Sequence, residues 1–291
     1  MQPKQITIVG LGLIGGSMAL ALRRAGGCEL TGIDADPAVA RAALERGAIH
    51  RAGGPQPPAD TDLLILALPP DAAIGYVRRY AGTLRPGTIV TDVCGVKRAV
   101  TDACLPVCRE NRLHFLGGHP MAGKEKSGFA NADADLFTGA SYILTPAPDT
   151  PEQVVDTVRS LAQAIGCTRL TVTTPEQHDR MIAFTSQLPH VLAGAYVKSP
   201  CCPFHDGFSA GSYRDVSRVA SVDETLWSRL FLLNRDCLCG EIDGLIENLT
   251  ACRDALLAED EPRLREVLRQ GREVKEQEAA REAAKNREAA E

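Results

Sequence analysis

The sequence QITIVGLGLIGGS, residues 5–17, decides the fold of this chain. Its first five residues form a β-branched run typical of a strand, and the apolar residues after the glycines predict a helix. Between them stands GLGLIG, residues 10–15, a GxGxxG pattern in the strand–turn–helix context that gives it meaning. We predict that Gly10 allows the tight turn, Gly12 lets a pyrophosphate approach the backbone, and Gly15 lets the helix pack closely.

A carboxylate after the second predicted strand bears on the choice of cofactor. Residues 29–33 predict that strand, and Asp34 stands at its end, about 20 residues past the glycine pattern. A carboxylate there binds a ribose 2′-hydroxyl and repels a 2′-phosphate, so we expect NAD rather than NADP. Asp36 is the competing candidate, although Asp36-Pro37 is also typical of a helix start.

Further strands alternate with helices as far as residue 173. Residues 63–68 form a continuous apolar run, typical of a strand that is covered on both faces. Other strands are predicted at residues 88–92, 113–116, 141–145 and 170–173, and helices from residue 71 and over 151–165. This alternation predicts a parallel, doubly wound α/β sheet. We therefore assign residues 1–173 to a dinucleotide-binding domain.

The carboxyl ends of these strands carry the residues that we expect to meet the ligands, as in other open α/β sheets. His119 stands there, in GHPMAG at residues 118–123. Flanking glycines allow close approach of the backbone, and Pro120 biases His119 toward an extended conformation. The residues predicted to bind the cofactor are Gly10, Gly12, Leu13, Ile14, Gly15, Asp34, Leu68, Pro69 and Asp92.

The remainder, residues 174–291, is predicted to be an all-helical substrate and dimerisation domain. Pro189 lies inside its first helix and implies a kink there. A long helical pattern over residues 226–257 has more apolar positions than a lone helical layer can bury, which predicts a homodimer. The tail from Arg263 onward is rich in charged residues and alanine, and it predicts a solvated helix.

Four polar residues of this helical part are candidates for the site. Gln187 and His190 lie on the first helix, which begins after Thr174. Arg214 and Arg218 are four residues apart, so on a helix they share a face, and an anion between them would offset their repulsion. Arginine suits carboxylates because its planar fork can bind both oxygens.

Composition excludes several classes of function. The net charge is −5, with no strongly basic stretch, which argues against a nucleic-acid surface. No apolar run reaches the length of a membrane span, and a strand begins too soon for a signal peptide. The ten cysteines are irregularly spaced, which predicts free thiols in a reducing compartment and no metal site. We therefore expect a cytoplasmic protein that binds neither membrane nor nucleic acid.

Several motifs together resemble the prephenate and arogenate dehydrogenases of tyrosine biosynthesis. They are GLGLIGGS at residues 10–17, DVCGVK at 92–97, GHPMAGKEKSG at 118–128, HDRMIAFTSQLPH at 178–190 and SYRDVSRVA at 212–220. The resemblance covers roughly residues 4–257. It implies a Rossmann domain, a dimerising helical domain, and oxidative decarboxylation of prephenate to 4-hydroxyphenylpyruvate with hydride transfer to NAD(P)+. Arogenate is the alternative substrate.

The resemblance also implies roles for single residues. His119 polarises the substrate hydroxyl or acts as its base, and Arg218 aligns with the family's carboxylate-binding arginine. Two positions depart from the family: Gly95 replaces a serine that bonds the substrate hydroxyl and the histidine, and Gln187 replaces a histidine. The predicted catalytic residues are His119, Gln187 and His190, and the predicted substrate-binding residues are Arg218, Arg214, Lys124 and Gly95.

Two other classes of protein share parts of this pattern. A hydroxyacid dehydrogenase would have the same two domains, but it usually needs a catalytic lysine on the first helices after the sheet. Here that segment offers His178 and Gln187 instead. A dinucleotide-binding module without catalytic activity would need no aligned His119, Arg214 and Arg218.

Overall fold

The strands and helices follow from a computed structural model that describes residues 3–124 and 126–288. The strands are β1 (Gln5–Val9), β2 (Glu29–Ile33), β3 (Arg51–Ala52), β4 (Leu63–Leu66), β5 (Ile89–Asp92), β6 (His114–Pro120), β7 (Ser141–Thr145) and β8 (Arg169–Val172). The helices are α1 (Leu13–Ala25), α2 (Pro37–Glu45), α3 (Pro70–Tyr80), α4 (Arg98–Glu110), α5 (Glu152–Ala164), α6 (Pro175–Ile182), α7 (Leu188–Tyr196), α8 (Gly211–Ser217), α9 (Glu224–Leu233), α10 (Arg235–Leu257) and α11 (Glu261–Glu288).

Within the described residues, eight strands form one sheet in the order β3-β2-β1-β4-β5-β6-β7-β8. Helices cover both faces, and the strand order reverses between β1 and β4, which confirms the doubly wound α/β fold. The central strand β4 is buried along its whole length, as its unbroken apolar run predicts.

Two strands, β7 and β8, depart from the predicted all-parallel sheet. β7 runs antiparallel to β6, with His119 opposite Ile143, and β8 is parallel to β7. A parallel neighbour would need a crossover, usually a helix. In the described residues of the connection from β6 to β7, the only helical element is a short 3-10 turn, Phe129–Asn131, so β7 starts at the end of the sheet where β6 finishes. The sheet is therefore mixed, with one reversed direction.

β6 is longer than predicted, and this places the histidine. The apolar run suggested a strand at residues 113–116, whereas β6 extends to Pro120. Positions 117 and 118 of the strand need glycine, because side chains there would collide with the neighbouring strand β7. A Cβ on Gly118 would lie 2.6 Å from the Tyr142 hydroxyl. His119 is therefore held by strand pairing.

The first helix of the helical part changes its winding at its centre. α6 is capped by the Thr174 hydroxyl, which accepts from the Gln177 N–H, and α7 begins at Leu188. Between them Ala183–Gln187 is π-helical. Pro189 has no N–H to donate, and a wider turn accommodates the missing hydrogen bond. The irregularity predicted at Pro189 thus takes the form of a π segment.

The long helix predicted over residues 226–257 is two helices. α9 ends at Leu233, α10 begins at Arg235, and Asn234 between them has φ −121° and ψ 24°. The prediction of one continuous helix was wrong because a hydrophobic pattern continues through a single non-helical residue. The Asn234 side chain is fully buried and bonds to other elements.

The chain divides into two compact units, Met1–Leu238 and Cys239–Glu291. The first contains the sheet and all the site residues discussed below. The second contains most of α10 and the charged helix α11. The boundary after residue 173 stays a prediction, since it separates sheet from helices within the first unit. None of the described helices is long and apolar enough to cross a membrane.

Candidate active site

A cavity of about 760 Å³ opens at the carboxyl ends of the parallel strands. Gly12 after β1, Pro69 after β4, Gly95 after β5 and His119 near the end of β6 all contribute to its wall. Helical residues of the same unit form the opposite wall. The cavity therefore occupies the position where open α/β sheets bind ligands.

The glycine loop forms one end of this cavity. Gly10 has φ +87° and lies against the backbone of Ala67, so a Cβ would clash there. A Cβ on Gly15 would clash with the Gly10 carbonyl, whereas nothing lies within 4 Å of the Cβ position of Gly12. Leu13 and Ile14, at the start of α1, line the same end. Free space above a helix N-terminus fits a pyrophosphate.

The two candidate carboxylates after β2 have different partners. Asp34 accepts the N–H of Leu11, in the glycine loop, at 2.7 Å and the N–H of Asp36 at 2.9 Å. Asp36 caps α2 by accepting the N–H of Ala38. Asp36 thus has the structural role that its Asp-Pro sequence suggested. Asp34 stays our prediction for the ribose, and it also holds the glycine loop.

Three titratable side chains form a hydrogen-bonded relay. His119 Nδ1 lies 2.9 Å from His178 Nε2, and His178 Nδ1 lies 2.7 Å from Asp179 Oδ1. His178 and Asp179 are fully buried on α6. His119 lines the cavity, so the relay runs from the cavity wall into the protein.

The relay fixes the tautomers of both rings. Burial acts to raise the pKa of Asp179, but hydrogen bonds from His178 and from the backbone N–H groups of Lys97 and Arg98 outweigh it and lower that pKa. The ionised carboxylate can only accept, so His178 donates through Nδ1–H and accepts at Nε2. His119 must then donate through Nδ1–H. Its Nε2 carries a lone pair and is available as a base.

Burial lowers the pKa values of both histidines. The pKa of His119 lies well below its ordinary 6.5, first because of burial and then because of His178 and Lys97. Burial also lowers the pKa of His178, although Asp179 acts in the opposite direction. Both rings are therefore neutral near pH 7, the state in which His119 can accept a proton.

A buried ion pair supports the loop beside the relay. Lys97 Nζ donates to Asp92 and, at 2.7 Å, to the Gly118 carbonyl, and both side chains have no exposed surface. Asp92 also accepts the N–H of Cys94 at 2.9 Å. Asp92, predicted to bind the cofactor, is thus occupied by the protein and lies behind the cavity wall. Its carboxylate holds the loop after β5 in place through its contacts with Cys94 and Lys97, and it is not exposed to the cavity.

The predicted substrate-binding residues separate into two groups. Arg218, Gly95 and Lys124 line the cavity, but Lys124 is ion-paired with Asp133 at 2.8 Å. Arg214 is exposed and contributes nothing to the cavity wall formed by the described residues. The two arginines do not share one regular helix face, because α8 ends at Ser217 and Arg218 begins a 3-10 turn.

The remaining predicted residues also reach the cavity. His190 stacks on Trp227 with ring centroids 3.8 Å apart, and its Nδ1 donates to the Ser186 carbonyl at 2.7 Å. Gln187 is almost fully buried, and its amide bonds to other protein groups. Leu68 lines the cavity beside Pro69.

Gly95, where the resemblance implies a serine in other members of the family, leaves room above the loop. A Cβ on Gly95 would meet only Leu230 side-chain atoms, at 3.9 Å. A serine would therefore fit, and its absence is not forced by packing. The residue before it, Cys94, is buried with its thiol against the Leu68 carbonyl at 3.4 Å. His119 has His178 as its orienting partner.

Sequence reasoning missed several residues that hold the site together. His178 and Asp179 were noted on the first helix but were not assigned to the site, and Lys97 and Asn234 were not expected to be buried. An adjacent His-Asp pair just after a helix cap was the available signal. Among the described residues, no group of three or more His, Cys, Asp or Glu side chains is placed to hold a metal ion.

A glycine loop at the switch point of a doubly wound sheet, facing an oriented neutral histidine, defines a dinucleotide-dependent dehydrogenase. The chain belongs to the prephenate dehydrogenase family. Residues 18–170 match the family's nucleotide-binding domain, and residues 174–270 match its dimerization domain.

Individual relatives agree with this assignment. Prephenate dehydrogenase of Bacillus subtilis is 33% identical over 88% of this chain and 71% of its own length. The structure of prephenate dehydrogenase from A. aeolicus in complex with hydroxyphenyl propionate and NAD+ superposes with a TM-score of 0.83 at 27% identity, covering 96% of this chain and 99% of that one. Synechocystis arogenate dehydrogenase gives a TM-score of 0.80 at 27% identity, covering 94% and 99%.

Proposed function

We propose that this protein catalyses the oxidative decarboxylation of prephenate to 4-hydroxyphenylpyruvate. NAD+, when bound, accepts the hydride that leaves the ring carbon carrying the hydroxyl. The observation that carries the proposal is His119, a neutral histidine whose free Nε2 borders a cavity that also contains the glycine loop and Arg218. The relatives from Bacillus subtilis and A. aeolicus are both named prephenate dehydrogenase.

The choice of NAD rests on residues of this chain. Gly12 leaves open space at the N-terminus of α1, where backbone N–H groups can bind a pyrophosphate. Asp34 follows β2 and contacts the glycine loop, and we assign the ribose to it because its carboxylate would repel a 2′-phosphate. NAD+ is also the dinucleotide present in the A. aeolicus structure.

His119 supplies the base in this proposal. Its Nε2 accepts the proton of the substrate hydroxyl as the carbon–oxygen double bond forms. His119 then carries a positive charge, which the Asp179 carboxylate stabilises through His178. Carbon dioxide leaves across the ring, the ring becomes aromatic, and His119 returns the proton to the oxygen, which gives the phenol. The backbone N–H groups of Lys97 and Arg98 keep that carboxylate ionised and in place.

Positive charge for the substrate carboxylates comes from the helical side of the cavity. Arg218 lines that wall, and a guanidinium can bind a carboxylate through two hydrogen bonds. Lys124 and Lys126 also line the cavity, and Lys124 is paired with Asp133. We assign the substrate carboxylate to Arg218 because lysine lacks the planar fork that binds both carboxylate oxygens.

Arogenate is the second candidate substrate, favoured by one observation. The Nδ1–H of His190 donates to the Ser186 carbonyl, which leaves Nε2 for the cavity. A lone pair on Nε2 would accept a hydrogen bond from the ammonium group of arogenate. Synechocystis arogenate dehydrogenase also has this fold.

We further propose that the protein is a homodimer formed through its helical part. The matched dimerization domain supports this, as do apolar side chains that stay exposed in a single chain, among them Leu249 and Leu257. The cavity as described is formed by one chain.

Steady-state kinetics tests the proposed function. NADH or NADPH formation is measured with prephenate and with arogenate, and with NAD+ and with NADP+. We expect the highest kcat/KM with prephenate and NAD+. A higher kcat/KM with NADP+ would contradict the role of Asp34, and no activity with either substrate would refute the proposed function.

A further inference from the structure

Asn234 and Gln187 form a pair of buried amides between the relay and the cavity. Asn234 stands at the break between α9 and α10 and has no exposed surface. Gln187 ends the π-helical segment and contributes to the cavity wall. The Nδ2 of Asn234 lies 2.9 Å from the Oε1 of Gln187. Neither side chain carries charge, so their function depends on which end of each amide faces the other.

The groups around Asn234 fix the direction of its amide. Its Nδ2 lies 2.8 Å from the Asp179 carbonyl, which can only accept a hydrogen bond. Its Oδ1 lies 3.0 Å from a nitrogen of Arg98, which can only donate. The acceptor at Asp179 and the donor at Arg98 therefore give the same positions for the nitrogen and the oxygen of the Asn234 amide. The second Nδ2 hydrogen points to Gln187.

The direction of the Gln187 amide follows from that of Asn234. Its oxygen must accept from the Asn234 Nδ2, so its Nε2 occupies the other end, 3.5 Å from the Leu230 carbonyl. That carbonyl takes at most one of the two Nε2 hydrogens, and only weakly at this distance. The amide therefore keeps at least one N–H that these protein contacts do not use, and Gln187 lines the cavity.

We propose that Gln187 is a specificity-determining residue that donates a hydrogen bond to an oxygen of the substrate, and that Asn234 is the positioning residue that keeps this donor turned toward the cavity. The inference rests on the proposed function, which supplies a substrate rich in carboxylate and keto oxygens. A fixed uncharged donor selects such an acceptor and gives no favourable contact to an ammonium group.

The test is a double-mutant cycle between Asn234→Asp and Gln187→Met in the full-length protein. The new carboxylate can still accept from Arg98 but cannot donate, so Gln187 must turn its nitrogen toward it and its oxygen toward the cavity. Each single variant should raise KM for prephenate about tenfold or more, the loss expected for one hydrogen bond to a charged group. The double variant should be no worse than Gln187→Met alone.

Other kinetic parameters separate positioning from a general structural defect. Asp179 keeps its donors from His178, Lys97 and Arg98, so kcat and KM for NAD+ should change little in Asn234→Asp. Asn248→Asp, at an exposed position of α10, is the control for the added charge and should behave as the wild type. Effects that multiply in the double variant, or a loss in kcat without a change in KM, would overturn the assignment of Asn234.

A second variant keeps the inference testable if Asn234→Asp does not fold. Gln187→Glu accepts from Asn234 as the glutamine does but presents only acceptor oxygens to the substrate, so its KM for prephenate should exceed that of Gln187→Met. A wild-type KM in both variants would overturn the inference. The proposed function fails differently, as a wild type that is inactive with prephenate and with arogenate.

Discussion

At the scale of single residues, chemistry depends on which nitrogen of His119 carries the proton. Asp179 can only accept, so the proton positions are set in sequence through His178 to His119. None of the three residues could set them alone. The Nε2 of His119 is left basic on the cavity side, and Arg218 supplies positive charge in the same cavity.

Replacing His119 by asparagine removes the base and keeps some hydrogen bonding. We expect kcat to fall about 10²–10⁴-fold, the usual contribution of a general base. The Kd for NAD+ should hardly change, because the glycine loop lies at another part of the cavity. Titration with NAD+ alongside steady-state kinetics measures both quantities. An Asn variant with near-wild-type kcat would contradict the assignment.

The pH dependence should report the free histidine. Burial, His178 and Lys97 lower the pKa of His119, and only the neutral ring can accept a proton. Activity is thus retained as the pH falls to 6.5 and is lost below it, as His119 becomes protonated. We expect the acidic limb of the kcat/KM profile below pH 6.5. A limb at or above neutral pH would be inconsistent with a buried neutral base.

The two arginines of the helical part give a matched comparison. Arg218→Ala should raise KM for prephenate about tenfold or more, because a charge-assisted hydrogen bond is lost. Arg218→Lys should recover part of this loss, since lysine restores the charge but not the planar fork. Arg214→Ala is the control, as Arg214 is exposed and outside the cavity wall. Equal effects at both positions would show that charge near the cavity, and not Arg218 itself, binds the substrate.

At the scale of elements, the site is assembled where strands end and helices change. β6 carries His119 to the cavity, and α6 brings His178 and Asp179 against it. The π segment and the break at Asn234 are irregular points of the helical part, and each provides a polar side chain to the site.

Two glycines of the strand–turn–helix unit should respond differently to alanine. The Cβ position of Gly12 is open, so Gly12→Ala should fold normally and bind NAD+ about tenfold or more weakly, through overpacking against the ligand. Gly15→Ala places a methyl group against the Gly10 carbonyl and should lower the melting temperature without ligand. Thermal melts and NAD+ titrations measure the two effects. A Gly12→Ala protein that binds NAD+ as the wild type does would exclude the glycine loop as the pyrophosphate site.

At the scale of the whole molecule, α10 presents an apolar face that a single chain leaves uncovered. Ile246, Leu249, Leu256 and Leu257 are each more than half exposed. At 3.6 residues per turn these four lie within about 100° of arc on the helix. Such a face is typical of an interface, and a dimerization domain of the family matches residues 174–270.

The dimer should be visible in sedimentation and sensitive to this face. We expect a species near twice 31.1 kDa at micromolar concentration. The double variant Ile246→Glu, Leu249→Glu should shift it toward the monomer, because four buried carboxylates in the dimer would each lose solvation. Asn248→Glu, exposed on another face of α10, should leave the dimer intact. A wild type that sediments as an active monomer would refute the dimer.

The sequence by itself determined the elements that depend on local patterns. The glycine loop, the β-branched and apolar strands, the cap at Thr174 and the position of His119 follow from residue type and spacing, and their structure agrees. β1, β2 and β7 have the predicted bounds. Local steric and periodic rules suffice there, because each feature is specified by a few adjacent residues.

Only the tertiary structure decided how distant polar residues pair. The antiparallel direction of β7 and the relay from Asp179 to His119 join residues far apart in the chain. Lys97 and Asp92 are close in sequence, but their burial as an ion pair depends on the surrounding fold. A sequence shows that a side chain is polar but not which partner satisfies it after burial. Burial makes such partners obligatory, so the fold, by placing Asn234 against Gln187 and Asp179, sets the direction of both amides.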